Sequence, residues 1–197
     1  MNSRDKILSE IRTHQPIALP MPGVEISFRF ADPVAQFTTV LTAIGGSVKR
    51  IESREEADAF FTALRKEHES CINNLPAFGV INSGDVANAT ASEIESVHTA
   101  LLRGRLGVAE NGSVWLPESA MVNRLLPFLC QQLVLVITEE EIVHTMHDAY
   151  AAMRAGEEGY GVFIAGPSKT ADIEQSLVLG AHGPLSLQVL LAAASLL

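Results

Sequence analysis

Near the end of the chain stands the stretch Phe163-Ile-Ala-Gly-Pro-Ser-Lys-Thr-Ala-Asp-Ile-Glu-Gln-Ser-Leu-Val-Leu-Gly-Ala-His-Gly-Pro184. It continues a short apolar run, Gly161 to Ala165, that Gly166-Pro167 interrupts. Three aliphatic residues then recur at helical spacing, namely Ile173, Leu177 and Val178. Gly180 can end such a helix in the left-handed conformation. The stretch therefore predicts a strand, a turn and a helix, a unit typical of α/β domains.

The predicted turn carries groups that suit an anion. Ser168, Lys169 and Thr170 supply two hydroxyls and one ammonium beside the free N–H groups of a helix start. Asp172 and Glu174 fall in the first helical turn, where carboxylates suit the positive end of the helix dipole. The same residue types also cap strand-to-helix turns without binding any ligand. Capping and an anion cradle are therefore both open interpretations of this turn.

Helical and strand patterns alternate along the preceding sequence. Helical spacing covers residues 4–13, 32–44, 53–64, 92–102 and 139–153, and strand patterns cover residues 47–51, 78–82, 133–138 and 187–191. The run from Leu133 to Thr138 is unbroken and mostly aliphatic, as expected for a parallel strand buried on both faces. We therefore predict one α/β domain with a mainly parallel sheet flanked by helices.

The N-terminal region has a different character from the rest of the chain. Residues 4–13 place Ile7, Leu8 and Ile11 on one helical stripe. The following segment, His14 to Pro22, contains three prolines and cannot continue a helix. We therefore predict a helix and Pro-rich arm over residues 1–22 and the α/β domain over residues 23–197. The arm could pack on its own domain or on a second subunit, so a homo-oligomer is possible.

Composition excludes several classes of function. A formal charge of −9 argues against a nucleic-acid partner, which would need clustered Lys and Arg. The apolar run from residue 185 to 197 is shorter than the ~20 residues of a membrane-spanning helix. Because the N-terminus also lacks the apolar core of a signal peptide, we expect a cytoplasmic location without a membrane span.

The sequence also limits the cofactors of this chain. Its two cysteines, Cys71 and Cys130, predict reduced thiols and are too few for an iron–sulfur cluster, which needs about four thiolates. Neither a GxGxxG turn nor a Walker lysine occurs. His144 and His147 lie three residues apart with Glu141 one turn earlier, but no second cluster supplies further ligands. We therefore predict no metal site and no cofactor in this chain.

A second motif lies in the middle of the chain, in the stretch Gly107-Val-Ala-Glu-Asn-Gly-Ser-Val-Trp-Leu116. Asn111-Gly112 between apolar runs predicts a β-hairpin turn. On local grounds Glu110 is then only a solvated side chain. The alternative is that Glu110 carries chemistry, and the residues of the turn do not decide between the two.

Both motifs resemble the LUD domain family, the family of lactate utilization protein C. The run GPSKTADIE…LVLGAHGP is similar to its C-terminal signature, which usually reads GPSRTADIE and continues LGVHGP, and Ala109-Glu-Asn-Gly-Ser113 is similar to its AETGT or AENGS segment. Lys169 stands where Arg is more usual, so the bidentate fork for a carboxylate is lost. The resemblance extends from about Val97 to the end of the chain.

The resemblance implies a fold and a site. LUD domains resemble ribose-5-phosphate isomerase, glucosamine-6-phosphate deaminase and CoA transferases, and some CoA transferases use a Glu in a Glu-x-Gly turn as nucleophile. Glu110 would then be a nucleophile or general base at the C-terminal edge of the sheet, facing the loop Gly166–Thr170. His182 is either a ligand-binding or a structural histidine. The ligand-binding residues that the resemblance implies are Asn111, Gly112, Ser113, Gly166, Ser168, Lys169, Thr170, Asp172, His182 and Gly183.

The resemblance also implies a function. Family members resemble subunits of an iron–sulfur system that oxidises L-lactate to pyruvate, with the clusters on partner chains. Our leading hypothesis is an accessory subunit of such a system. A stand-alone enzyme that acts on a phosphorylated sugar or a CoA ester through Glu110 is the second hypothesis. The third is a regulatory module that binds a small carboxylate.

Overall fold

The computed structural model of the chain describes residues 2–17, 19–20, 23, 27–67, 70–75, 78, 86–153, 158–173, 176–179 and 183–197. The helices in these residues are α1 (Ser3–Thr13), α2 (Pro33–Ala43), α3 (Arg54–Glu67), α4 (Ala91–Glu95), α5 (Leu126–Leu129) and α6 (Met146–Ala152). The strands are β1 (Ser47–Ile51), β2 (Cys71–Asn73), β3 (Thr99–Arg103), β4 (Leu106–Val108), β5 (Ser113–Pro117), β6 (Gln132–Ile137), β7 (Ile142–Val143), β8 (Gly161–Ile164), β9 (Lys169–Ile173), β10 (Ser176–Leu179) and β11 (Ser186–Ala192).

The main sheet has five strands in the order β1-β11-β6-β3-β2, and every pair in it is parallel. Its central strand β6 is aliphatic and buried from Leu133 to Ile137, because neighbouring layers cover both of its faces. The predicted α/β fold with a mainly parallel sheet is therefore confirmed, as are the strand patterns at residues 47–51, 133–138 and 187–191.

A smaller sheet packs over one face of the main sheet. Its order is β7-β4-β5-β8, with β7 parallel to β4 and the other pairs antiparallel. Helix α2 enters the shared core with Phe37 and Leu41, which contact the same cluster as Val114 of β5 and Leu133 of β6. This layer of apolar side chains fixes the smaller sheet, and hence both sequence motifs, on the parallel sheet.

The predicted helix after Gly166-Pro167 is wrong. Lys169–Ile173 and Ser176–Leu179 are instead the antiparallel strands β9 and β10. Thr170, Ile173 and Val178 are β-branched and favour extended backbone, so strand pairing prevails over the apparent helical spacing. The anion cradle at a helix start therefore does not exist in this form, and Gly180 lies outside the described residues.

Three other predicted elements change. Leu101 and Leu102 belong to strand β3, which pairs with the central strand β6, and the helix that was expected to reach them ends at Glu95. The predicted helix over residues 139–153 is replaced by a 3-10 turn, the short strand β7 and α6. Phe78 lies in a 3-10 turn, and the preceding strand is Cys71–Asn73; residues 79–82 lie outside the described residues.

The predicted N-terminal helix is present as α1. It begins at an Asn2 cap, whose side chain accepts from the N–H of Asp5, and none of its residues is buried. Ile7 and Ile11 of its apolar stripe are exposed. The stripe thus has no core to join within the described part of the chain.

An ion pair between Arg103 and Glu141 ties the end of β3 to the turn after β6. The guanidinium donates to Oε1 at 2.5 Å and to Oε2 at 2.9 Å, and also to the carbonyl oxygens of Gly104 and Val136. Glu141 accepts a further bond from the N–H of Thr138 at 2.8 Å. The two side chains are only 18% and 27% exposed, so this pair is better shielded than a typical surface pair.

We expect Arg103→Gln to lower the free energy of unfolding by about 2 kcal/mol, because the partly buried carboxylate loses its bidentate partner. The matched control is Arg50→Gln. Arg50 pairs with Glu139 at 2.5 Å, but both side chains are more than 40% exposed, so its loss should cost less than ~1 kcal/mol. Urea unfolding of both variants measures the difference, and equal losses would contradict the expectation.

Candidate functional site

The smaller sheet brings the two sequence motifs to one edge. Strand β5 begins at Ser113 where the antiparallel strand β8 ends, with Val114 opposite Ile164. The turn at residues 109–113 and the turn at Gly166-Pro167 are therefore neighbours. Both also pack on the end of α2, since a Cβ on Gly112 would lie 2.9 Å from the Leu41 backbone N, and one on Gly166 3.0 Å from the Ile44 carbonyl oxygen.

The first turn uses most of its own polar groups. Asn111 Oδ1 accepts from the N–H of Ser113 at 3.0 Å and from its hydroxyl at 2.7 Å. The N–H of Gly112 donates to the Val108 carbonyl at 2.9 Å, and Gly112 alone supplies the positive φ of the turn, at 69°. The predicted hairpin is present, and the side chains of Asn111 and Ser113 are hydrogen-bonded to each other within it.

Glu110 is turned toward α6. Its N–H donates to the His144 carbonyl at 3.0 Å, and its Oε2 accepts from the N–H of Met146, the first residue of α6, at 2.9 Å. The loop that begins at Gly166 follows β8, which lies two strands from β4, a separation of about 10 Å. The carboxylate is exposed and lies at the carboxyl end of β4, but it contacts the helix start and not that loop.

Two segments of the C-terminal motif, at Ser168 and at Gly183-Pro184, lie side by side next to a cleft. The N–H of Ser168 donates to the Pro184 carbonyl at 2.9 Å, and Gly183 is so close that a Cβ there would lie 2.8 Å from Ser168 Cβ. The two halves of the C-terminal motif are thereby brought together. Beside them lies a cleft of about 240 Å³, lined by Pro127, Phe128, Leu133, Val162, Phe163, Ile164, Ala165, Gly166, Ser168, Gly183, Pro184 and Leu187.

The other predicted residues of the motif follow Ser168 or precede Gly183 in the sequence. Lys169 and Thr170 open β9, directly after Ser168, and the Lys169 side chain is exposed. Asp172 lies further along the same strand. His182 lies outside the described residues, immediately before Gly183.

A second cleft was not predicted from the sequence. It has a volume of about 270 Å³ and lies at the carboxyl ends of β1, β6 and β11, the edge at which parallel sheets commonly bind ligands. The Glu139 carboxylate accepts a hydrogen bond from Arg50 Nε, which raises the pKa of the Arg50 guanidinium. Glu52 and Glu140 also line the cleft. Arg50 and Glu139 stand at the ends of two predicted strands, a signal that could have indicated the cleft.

The charges of the two clefts differ. Three carboxylates and one guanidinium line the second cleft, so it disfavours an anion. The first cleft has apolar walls, the Ser168 hydroxyl and no acidic residue among its lining groups. Of the two, only the first suits a small carboxylate.

Comparison with known proteins identifies the family. Residues 83–192 match the sequence model of the LUD domain. The chain belongs to the LUD domain family. This match covers both motifs, from the turn at Glu110 to the cleft at Ser168 and Gly183, and confirms the resemblance seen in the sequence.

Curated relatives of this LUD domain are lactate utilization proteins C. The protein of that name from Bacillus pumilus is 33% identical over 110 residues, which are 50% of this chain and 46% of the relative. The one from Deinococcus radiodurans is 25% identical over 183 residues, which are 89% and 83% of the two chains. The chain thus spans about half the length of several relatives that it matches.

A crystal structure supports the fold. A DUF162 family protein from Deinococcus radiodurans superposes with a TM-score of 0.63 at 20% identity, over 83% of this chain and 98% of the other. At that identity the similarity shows the fold of the LUD domain alone.

Two further findings concern membrane spans and metal ligands in the described residues. None of the helices in those residues is both long and apolar enough to pass through a bilayer. Nor do three or more His, Cys, Asp or Glu side chains in the same residues group as metal ligands. His144 has a structural contact instead, since its Nδ1 accepts from the N–H of Phe30 at 3.1 Å.

Proposed function

We propose that this LUD domain acts in lactate utilization as a cytoplasmic chain that binds a small carboxylate and works with iron–sulfur partner proteins. The observation that carries the proposal is the meeting of Gly166–Ser168 with Gly183-Pro184 at one cleft, since it gives the family motif a common location. The names of the relatives support the lactate part of the proposal.

The chemistry of the cleft favours a monocarboxylate over a phosphorylated ligand. Lactate carries a methyl group, a hydroxyl and one carboxylate, which match the apolar walls, the Ser168 hydroxyl and the nearby Lys169. A phosphate would need several donors or cations, but Lys169 is the only Lys or Arg from Val162 to Pro184. A total charge of −9 further disfavours a polyanion.

The cysteines support the placement of the clusters on partner chains. Burial raises the pKa of both Cys71 and Cys130, so both thiols resist the deprotonation that an iron ligand requires. The proposal therefore assigns no cofactor to this chain and expects electron transfer to take place in its partners.

Isolation of the tagged chain from its host grown on lactate tests the assembly part of the proposal. We expect cluster-bearing proteins and iron in the eluate, and no lactate turnover by the isolated chain. A homogeneous iron-free protein, obtained equally from lactate-grown and lactate-free cells, would contradict it.

Catalysis by Glu110 stays a prediction. Two variants distinguish it from carboxylate binding at the cleft. Ser168→Ala removes the cleft hydroxyl and should reduce the stabilisation of the chain by L-lactate or pyruvate in thermal unfolding. Glu110→Gln keeps an oxygen for the N–H of Met146 but removes the nucleophile. Growth on lactate should survive Glu110→Gln; loss of growth with a folded variant would favour the stand-alone enzyme.

A further inference from the structure

One edge of strand β8 has no partner strand in the part of the chain that the structure describes. Among the described residues it pairs with β5 only, and it is the last strand of its sheet. The N–H of Glu118 donates to the Tyr160 carbonyl at 2.9 Å, and Pro117, which has no N–H, stands opposite Gly161. Because backbone groups alternate along an antiparallel pair, the N–H and C=O groups of Gly161 and Phe163 point away from β5.

The cleft near Ser168 runs along this edge. Val162 and Ile164 of β8 contribute to its wall on the face that packs on the main core, whereas Phe163 packs on the opposite face with Trp115. An open strand edge beside an apolar cleft is the arrangement that accepts an extended segment as an additional strand.

The N-terminal arm has the chemistry of such a segment. Ile17 and Leu19 are 88% and 84% exposed, and Pro16 and Pro20 alternate with them. In an extended segment, alternate residues direct their N–H and C=O groups to opposite sides. Both prolines therefore fall on one side, and the intact N–H groups of Ile17 and Leu19 fall on the other.

The register follows from the two faces of β8. In a parallel pair, a residue whose N–H and C=O groups point toward the neighbouring strand lies opposite a residue of that strand whose N–H and C=O groups point the other way. Ile17 would then lie opposite Val162 and Leu19 opposite Ile164, with both side chains on the face that holds the cleft. An antiparallel pairing would place them on the opposite face of β8, where the Phe163 ring packs on Trp115. The geometry therefore favours a parallel strand.

A second copy of the chain is the better source of this strand than the same chain. The N–H of Phe30 donates to Nδ1 of His144, which follows β7, so ten residues after Pro20 the chain lies at the edge opposite to β8. In the chain itself Ile17 and Leu19 remain exposed. Helix α1, which precedes the arm, carries three basic and two acidic residues, whereas the whole chain has a charge of −9. A basic helix would thus be delivered to an acidic partner.

We propose that two copies of this chain exchange their N-terminal arms, with residues 16–20 of each added as a parallel strand to β8 of the other. Each copy then supplies Ile17 and Leu19 to the apolar end of its partner's cleft. The exchange is reciprocal, as expected for a dimer with twofold symmetry. The proposal rests on the geometry of β8, and it places these two side chains in the same cleft to which the proposed function assigns a carboxylate.

Matched charge substitutions in the full chain test this exchange. We expect wild-type protein to be a dimer in sedimentation over a dilution series. Ile17→Asp with Leu19→Asp should raise the dimer dissociation constant at least ~100-fold, because it places charge in an apolar cleft. Pro16→Asp with Pro20→Asp adds the same charge on the face of the added strand that is turned away from the side chains of Ile17 and Leu19, so the dimer should stay intact. All four positions are exposed in the chain, so neither variant should unfold it.

Three sedimentation results would overturn the proposal: a wild-type protein that stays monomeric, a dimer that survives the Ile17→Asp and Leu19→Asp changes, and equal losses in the two double variants. Disulfide trapping identifies the copy that supplies the strand. Leu19→Cys and Ala165→Cys, each in a separately tagged chain, should form a mixed disulfide dimer after the two are combined and oxidised. A disulfide that forms only when both changes are in one chain would show self-docking and overturn the exchange.

Discussion

Replacement of Gly112 by alanine is expected to lower the free energy of unfolding by about 3 kcal/mol, the sum of backbone strain and steric overlap. Gly112 has a φ of 69°, which a residue with a Cβ adopts only at a cost. The added Cβ would also lie 2.9 Å from the backbone N and 3.0 Å from the Cα of Leu41. Because these are main-chain atoms of α2, no side chain can rotate to relieve the overlap.

Gly23→Ala is the matched control for this change. Gly23 does not have a positive φ, and a Cβ there meets no atom of the described residues within 4 Å. Its replacement should be neutral or slightly stabilising, because alanine restricts the unfolded chain. Urea unfolding compares the two variants. A Gly112→Ala protein as stable as Gly23→Ala would show that the turn is not held against α2.

The parts of the fold that were predictable are those whose pattern is set by burial alone. The aliphatic side chains of β6 alternate between the two faces of the sheet, so they are all buried only where a layer covers each face. This strand is the central one of the main sheet. Helix α2 has a Pro33 start, a helical stripe and Gly45-Gly46 at its end, so local signals agree with its packing. Where local preferences and tertiary packing favour the same element, the sequence is enough to predict that element.

The wrong predictions concern apolar residues whose spacing fits both a helix and a strand. Leu101 and Leu102 fit the stripe of the preceding helix, but pairing with β6 makes them part of a strand. Ile173 and Val178 fit a helix as well as the β9–β10 hairpin. Their placement depends on partners distant in sequence, and short windows carry no information about those partners.

The candidate site was predictable as a set of turns but not as a set of contacts. The motifs at Glu110 and Ser168 do reach one edge of the smaller sheet. The bond from Met146 to Glu110 and the Phe128 wall of the cleft arise from elements that no motif links. Side-chain direction at a turn is set by the neighbouring elements, so spacing alone does not reveal it.

A large pH effect is expected from Cys130. Burial raises the pKa of this thiol to about 12, from an ordinary value of about 9, with opposing but weaker effects of hydrogen bonds to the backbone at Ala100 and Cys130. Between these two values the folded state keeps a proton that the unfolded state has lost. The stabilising contribution is therefore complete below the unfolded pKa and is lost as the pH rises, by about 1.4 kcal/mol per pH unit.

The free energy of unfolding of wild type should accordingly fall by about 3 kcal/mol more than that of Cys130→Ala between about pH 8 and pH 11. Alanine leaves a cavity and lowers stability at every pH, but it removes the titrating group, so the difference between the two curves isolates the thiol. Parallel curves would contradict a buried neutral thiol. Since iron binds the thiolate, a thiol that stays protonated to high pH is also a poor cluster ligand. The same measurement therefore bears on whether the clusters of the proposed lactate system belong to partner chains.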